Sequence, residues 1–223
     1  MSEPRPEADP ADRARALALI DVSRETLQRL EIFVGLLLIW QTRTNLIAAS
    51  TIPQIWTRHV ADSLQLLPLA PKAKTWVDFG SGGGFPGLVL ACALAEKKGA
   101  HVHLVESIGK KARFLEEVSR VLGLPATVHT TRIENFGDSF GDKPDVVTAR
   151  AVASLKVLCG YVLPLMGPKT TALFHKGQDV EAELTEAARY WNIDAELVTS
   201  KTSPEGRIVA VRSLKPRKAA RKT

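Results

Sequence analysis

The sequence predicts an α/β fold: a doubly wound, mostly parallel sheet that ends in an antiparallel C-terminal strand and is preceded by a helical extension. Three observations predict it. From residue 74 onward, apolar runs of strand length alternate with longer runs of helical period, the pattern of parallel strands joined by crossover helices. The stretch "DFGSGGGFPG", residues 78–87, sets five glycines between a buried run and a helix-like run, so it reads as strand, tight turn and helix start. The last two strand-like runs flank a turn containing Gly206 and read as a hairpin, which closes the sheet antiparallel.

At 223 residues the chain is long enough for one such domain with an appendage. Residues 1–11 are polar and proline-bearing and are expected to be disordered. Residues 12–71 form the helical extension, 72–214 the domain carrying the glycine turn, and 215–223 a basic tail. In the extension, Ser23 supplies an N-cap, and Leu27, Leu30, Val34, Leu37, Leu38 and Gln41 follow at 3.6-residue spacing, giving a long amphipathic helix. A second helical stretch opens near Thr51 and Pro53, carries "RHVADSL", and ends near Leu67 at the linker "LPLAPKAK". Five strands follow, "KTWVDF", "HVHLVE", "ATVHT", "DVVTAR" and "TTALFHK". Their helices are "GLVLACALAEK", "KKARFLEEVSRVLG" and "SLKVLCGYVLPL", with Pro86 suited to the first turn of the first. "DVEAELTEAARYW" reads as a further helix, and "DAELVTS" with "GRIVAVRSL" as the closing hairpin.

A hydrophobic content of 45% supports a real core. Cys92 and Cys159 lie in apolar helical patterns without a second ligand at metal spacing, so reduced buried thiols and no metal are expected. The N-terminus resembles neither a signal peptide nor an anchor, and no apolar run reaches spanning length; a cytoplasmic protein with no membrane partner is expected. The net charge is +6, and five of the cations behind it stand without an acid in the last nine residues. That tail reads either as a solubilising end or as a contact for nucleic-acid phosphates.

Gly82, Gly84 and Gly87 satisfy G-x-G-x-x-G, a weak nucleotide-binding pattern that close strand-helix packing also explains. The ligand is narrowed by its surroundings. Asp78 ends the first strand beside the turn, where a carboxylate repels pyrophosphate and favours a cationic ligand; a cap for the next helix is its structural alternative. Glu106 ends the second strand 24 residues after Gly82, where a carboxylate accepts hydrogen bonds from ribose hydroxyls. S-adenosylmethionine, with an ammonium, a sulfonium and a ribose, suits this pair. NAD is disfavoured because the chain lacks a second mononucleotide half, and a Walker site because no Lys-Ser/Thr follows the glycines.

The segments "NLIAASTIPQIWTRHVADSL", "WVDFGSGGGFPG", "LVESIGKKARFLEEV", "TRIENF", "VTARAVASL" and "FHKG", in this order, resemble the RsmG (GidB) family of small-subunit rRNA guanine-N7 methyltransferases over about residues 23–213. The resemblance implies a Rossmann-like class I S-adenosylmethionine-dependent methyltransferase that modifies a guanine in the 530 loop of 16S rRNA, on naked 16S rRNA or a small ribosomal subunit precursor. It implies cofactor-binding positions at Gly80, Phe85, Ile133, Glu134 and Arg150, and favours substrate contact by Arg58 and His59. Lys176, at the end of the fifth strand, faces the same crevice and is a candidate for RNA phosphate. A monomer is expected, although no residue pattern carries that expectation.

The chemistry implied is undemanding. Guanine N7 keeps an in-plane lone pair, so transfer needs positioning and no proton removal. Methylation at cytosine C5 needs a cysteine nucleophile, and neither cysteine lies in a crevice loop. The Asn/Asp-Pro-Pro-aromatic run of exocyclic amine methylation is replaced here by "TARAVAS". Arg150 is therefore assigned to alignment and charge stabilisation. Another acceptor, or a non-catalytic ribosome-assembly module that binds RNA, remain the alternatives.

Overall fold

The computed structural model of the chain describes residues 8–217. Seven strands form one sheet in the order β3-β2-β1-β4-β5-β7-β6. They are β1 (Thr75–Phe79), β2 (His101–Val105), β3 (Ala126–His129), β4 (Val146–Arg150), β5 (Thr171–Lys176), β6 (Trp191–Thr199) and β7 (Arg207–Pro216). The first five pair in parallel, and β7 runs antiparallel to both β5 and β6. Because β1 lies between β2 and β4, the winding reverses there and leaves a crevice at the C-terminal ends of β1 and β4. The glycine turn and Arg150 stand at that point.

Helices cover both faces. On one side α4 (Gly87–Leu94) and α5 (Gly109–Leu122) pack with the extension; on the other lie α6 (Ile133–Ser139), α7 (Leu155–Val162) and α8 (Val180–Ala187). The extension holds α1 (Pro10–Leu19) and α2 (Arg24–Gln41), and Ser23 caps α2 by accepting the Thr26 amide at 3.1 Å. Leu30, Phe33, Val34 and Leu37 of α2 join Leu88, Leu90, Phe114 and Leu115 in one buried cluster.

Several boundaries differ from the sequence reading. Helix α1 begins at Pro10, so residues 10 and 11 are ordered; Asp9 accepts the Ala11 amide, and buried Asp12 accepts the amides of Trp56 at 2.9 Å and Thr57 at 3.1 Å. Residues 1–7 lie outside the described residues. The second helical stretch is broken, because Pro53 interrupts it: a 3-10 turn (Ala49–Gln54), a π turn (Trp56–Ala61), a short α3 (Asp62–Leu64) and another 3-10 turn (Leu67–Leu69). Helix α6 was not read from sequence; its Gly137 lets it approach Pro164 closely. Helix α8 stops at Ala187, and Trp191 instead opens β6, opposite Pro216 and with its indole N–H donating to the Lys156 carbonyl. Lys215 therefore belongs to β7, and residues 218–223 of the basic tail lie outside the described residues.

Gly87 starts α4 under the crevice, and a Cβ there would stand 2.3 Å from Leu104 Cδ2 and 2.6 Å from Asp78 Oδ2. At Gly109, the equivalent position of α5, a Cβ would meet nothing within 4 Å. Gly87→Ala should therefore lose about 1–3 kcal/mol through overpacking. Gly109→Ala should be neutral or slightly stabilising, as helix propensity alone dictates. Denaturant unfolding of the two variants reads the difference.

Candidate functional site

The glycine turn leaves β1 with Gly80, Gly82 and Gly84 all at positive φ. At Gly84, φ is +90° and a Cβ would stand 2.6 Å from Leu88 Cδ1, so both conformation and space exclude a side chain. The turn is tied from below and beside. Gly87 N–H and Thr148 Oγ1 donate to the two oxygens of Asp78 at 3.1 and 2.8 Å. Gly82 N–H donates to Glu106 Oε2 at 2.9 Å, and Ile108 N–H to Glu106 Oε1 at 2.8 Å. Glu106 thus joins the turn to the loop after β2.

Asp78, placed against a cationic ligand in the sequence reading, is 1% exposed, and its two oxygens accept from the backbone and from β4. It grips the first amide of α4, as its structural alternative required. Burial pushes its pKa up to about 6, against the opposing hydrogen bonds from Thr148 and Gly87.

The extension meets the turn at Phe85. Its ring lies between Phe33, at 5.2 Å between centroids, and His59, at 4.9 Å, with the Arg150 guanidinium carbon 5.5 Å from its centroid. The Phe85 side chain therefore builds the wall behind the turn. His59 is 7% exposed, and burial lowers its pKa to about 3, so the ring is neutral. Arg150 Nη2 lies 2.6 Å from His59 Nδ1 and Thr51 Oγ1 lies 2.9 Å from Nε2. A guanidinium only donates, which leaves Nδ1 as the acceptor and puts the ring proton on Nε2. Both nitrogens are occupied within the protein, and His59 stands as a wall of the cleft.

Arg150 Nη1 also donates to the Arg58 carbonyl at 3.0 Å and lies 3.5 Å from Asp62 Oδ2. Three of its five N–H groups are used, and two have no acceptor among the described residues. Lys176 lines the cleft with its side chain 8% exposed, and Nζ donates to the Ala153 carbonyl and to Glu183 Oε2, both at 2.7 Å. In this position it anchors the segment after β4. Ile133 and Glu134 open α6, Ile133 half-buried and Glu134 exposed, accepting the Tyr161 hydroxyl at 3.0 Å.

A cleft of about 870 Å³ opens between these parts, lined by Gly80, Gly82, Arg58, His59, Arg150 and the turn of residues 200–207. Ile133, Glu134 and Glu106 lie outside that lining. Sequence reasoning missed Asp62, His175 and Thr202. Asp62 stood as the one acid in the quoted "RHVADSL", but the π turn from Trp56 to Ala61 takes the preceding residues out of 3.6-residue phase. Cys92 and Cys159 are buried, their thiols pushed up to about 12 by burial, and neither lines the cleft. Among the described residues no group of three or more His, Cys, Asp or Glu side chains forms a metal site, and no helix is long and apolar enough to cross a membrane.

Because the folded pKa of Asp78 lies above its ordinary 3.8, the protonated acid is the form that favours folding. Stability should fall as pH rises from about 4 through about 6 and then level. Asp78→Asn, which carries no such charge, should lack that fall. Thermal midpoints of both proteins across this range check the sign.

Two kinds of comparison bear on this arrangement. Solved structures share the fold at low identity: a mutant of MtNAS in complex with S-adenosylmethionine (TM-score 0.57, 15% identity, 90% of this chain and 83% of that one), and a SAM-dependent methyltransferase from Aquifex aeolicus (TM-score 0.54, 13% identity, 71% and 92%). Curated relatives are far nearer in sequence. The Ribosomal RNA small subunit methyltransferase G of Bradyrhizobium sp. (strain BTAi1) is 59% identical over 201 residues, 90% of each chain. The protein of that name from Rhodopseudomonas palustris (strain BisB5) is 59% identical over 203 residues, 91% of this chain and 87% of its own. The model of the GidB family, rRNA small subunit methyltransferase G, matches residues 26–209, and the chain belongs to that family.

Proposed function

We propose that the protein transfers a methyl group from S-adenosylmethionine to N7 of a guanine in the 530 loop of 16S rRNA, acting in the cytoplasm as a monomer on the rRNA or a small-subunit precursor. One observation carries this reading. Of the two imidazoles that line the cleft, His59 has its lone pair committed to Arg150 and His175 keeps its unpaired Nδ1 buried, so the cleft is furnished for alignment and not for proton removal. An acceptor nitrogen that already holds an in-plane lone pair needs nothing more.

The turn fits S-adenosylmethionine. Its glycines leave backbone uncovered at the switch point, and Glu106, although it accepts two amides, retains a second lone pair on each oxygen for ribose hydroxyls. In this reading Gly80, Gly82, Gly84 and the Phe85 backbone border the cofactor, and Ile133 and Glu134 edge its base from the start of α6. When bound, the cofactor supplies an electrophilic methyl on a sulfonium. The chain's own residues do the rest. Phe85 and His59 exclude water behind the turn, Arg150 lines the cleft with two N–H groups left to donate, and Arg58 offers its charge to the RNA backbone.

Glu106→Ala should weaken S-adenosylmethionine binding about tenfold or more, since a hydrogen bond to a charged group contributes roughly 1.5–3 kcal/mol. Calorimetry reads it, with unfolding curves to show that the turn survives. N7-methylguanine carries a ring charge that makes the RNA cleavable after borohydride and aniline treatment. Ribosomal RNA from cells lacking the gene should lose one cleavage in the 530 loop, and purified protein with S-adenosylmethionine should restore it. Arg150→Ala should fail to restore it while remaining folded. Cleavage that persists without the gene, or methyl found on carbon or on an exocyclic amine, overturns the assignment.

A further inference from the structure

Asp62 is where two walls of the cleft meet. Its Oδ1 accepts from Thr202 Oγ1 and from Gln65 Nε2, each at 2.7 Å, while its Oδ2 lies 3.5 Å from Arg150 Nη1. The oxygens are thus divided. One faces the turn of residues 200–207, and the other faces the arginine at the end of β4. Gln65 reinforces the first arm, its Oε1 accepting the Lys201 amide at 2.8 Å and its Nε2 donating to Ser200 Oγ at 3.2 Å. The Asp62 carbonyl accepts from His175 Nε2 at 2.8 Å, which fixes α3 against the end of β5. Among the described residues Asp62 is the one carboxylate within ion-pair distance of Arg150. The other charged or titratable groups around it are Arg58, His59 and His175, and burial lowers the pKa of both histidines.

We propose that Asp62 is a positioning residue for methyl transfer, setting the Arg150 fork and the turn of residues 200–207 on opposite sides of the acceptor base. The inference deepens the reading of the cleft as the methyl-transfer site and rests on it. Its basis is the chemistry of a carboxylate, which accepts on both oxygens, whereas an amide of the same shape accepts on one and donates from the other. In Asp62→Asn, one of the two walls must lose its acceptor whichever way the amide turns. Stability is a separate matter. The pair with Arg150 is long, and Arg150 keeps the Arg58 carbonyl and His59, so a purely structural Asp62 would show itself in unfolding and not in rate.

The test compares wild type, Asp62→Asn, Asp62→Glu and Thr202→Val in labelled methyl transfer from S-adenosylmethionine to subunits from cells lacking the gene. Asp62→Asn should lower kcat tenfold or more, with cofactor affinity within twofold by calorimetry and an unfolding midpoint within a few degrees of wild type. Asp62→Glu, which restores a carboxylate toward Arg150, should recover part of that loss. Thr202→Val, which releases only the turn, should raise KM for the subunit several-fold and leave kcat within twofold. An active wild type with an equally active Asp62→Asn overturns the proposal alone, as does a loss fully accounted for by weaker cofactor binding or by unfolding. A Glu variant no better than Asn also overturns it. A folded wild type that transfers no methyl overturns both this inference and the function on which it rests.

Discussion

A glycine turn keeps one shape only if something holds it, and here that is a carboxylate buried beneath it. Asp78 takes the Gly87 amide on one oxygen and the Thr148 hydroxyl on the other, binding β1, β4 and the start of α4 to a single point. The arrangement carries a cost, visible in the raised pKa of a group that burial would prefer neutral. What it secures is the crevice. The amides of the turn and the end of β4 keep a constant separation, and every later contact is measured from them. Gly87 is part of the same constraint, because any side chain there would collide with the carboxylate that fixes it.

The helical extension is the second support of the site. Gln41, at the end of α2, donates to the Ile47 carbonyl at 2.8 Å and accepts the amides of Leu46 and Ile47 at 3.0 and 3.1 Å. That clamp presses the segment onto the turn, where the Leu46 carbonyl would lie 3.0 Å from any Cβ at Gly83. Phe85 then passes the contact on to Phe33 on one side and to His59 and Arg150 on the other. A residue on the amphipathic stripe of α2 thereby supports the C-terminal end of β4, where Arg150 stands, through packed groups. An extension that merely covered apolar surface would need no such polar clamp.

The doubly wound sheet with its antiparallel end and the glycine turn were legible because each leaves a local mark: strand-length runs, helix-length runs and clustered glycines. The direction of side chains at strand ends was not. In β1 the four residues Trp76 to Phe79 are all buried, so alternation does not say which way Asp78 points. The pairing of Lys176 was hidden because its partner Glu183 lies on the next helix, at a spacing that means nothing until α8 packs back on β5. His59 and Asp62 were obscured differently. The π turn from Trp56 to Ala61 shifts the phase of the helix, so a 3.6-residue reading does not predict which face carries each residue. Arg150 entered through the family resemblance, and the strand end that carries it lines the cleft.

The charge balance of the proposed reaction explains why such a fixed cleft suffices. Methyl transfer to N7 converts a sulfonium to a neutral thioether and a neutral guanine to a cation, so one positive charge moves a short distance and none is created. A site that had to generate an anion would need a mobile base or donors aimed at a new charge. Here Arg150 is held by Arg58, His59 and Asp62, Lys176 is paired with Glu183, and the imidazole is locked neutral. Such committed groups cannot follow a proton, but they hold an in-line geometry and repel no charge that was not present at the start. The same rigidity places the burden of selectivity on shape. In the proposed placement, an acceptor nitrogen would reach the methyl only if its base fits between the turn of residues 200–207 and Arg150, the two walls that meet at Asp62.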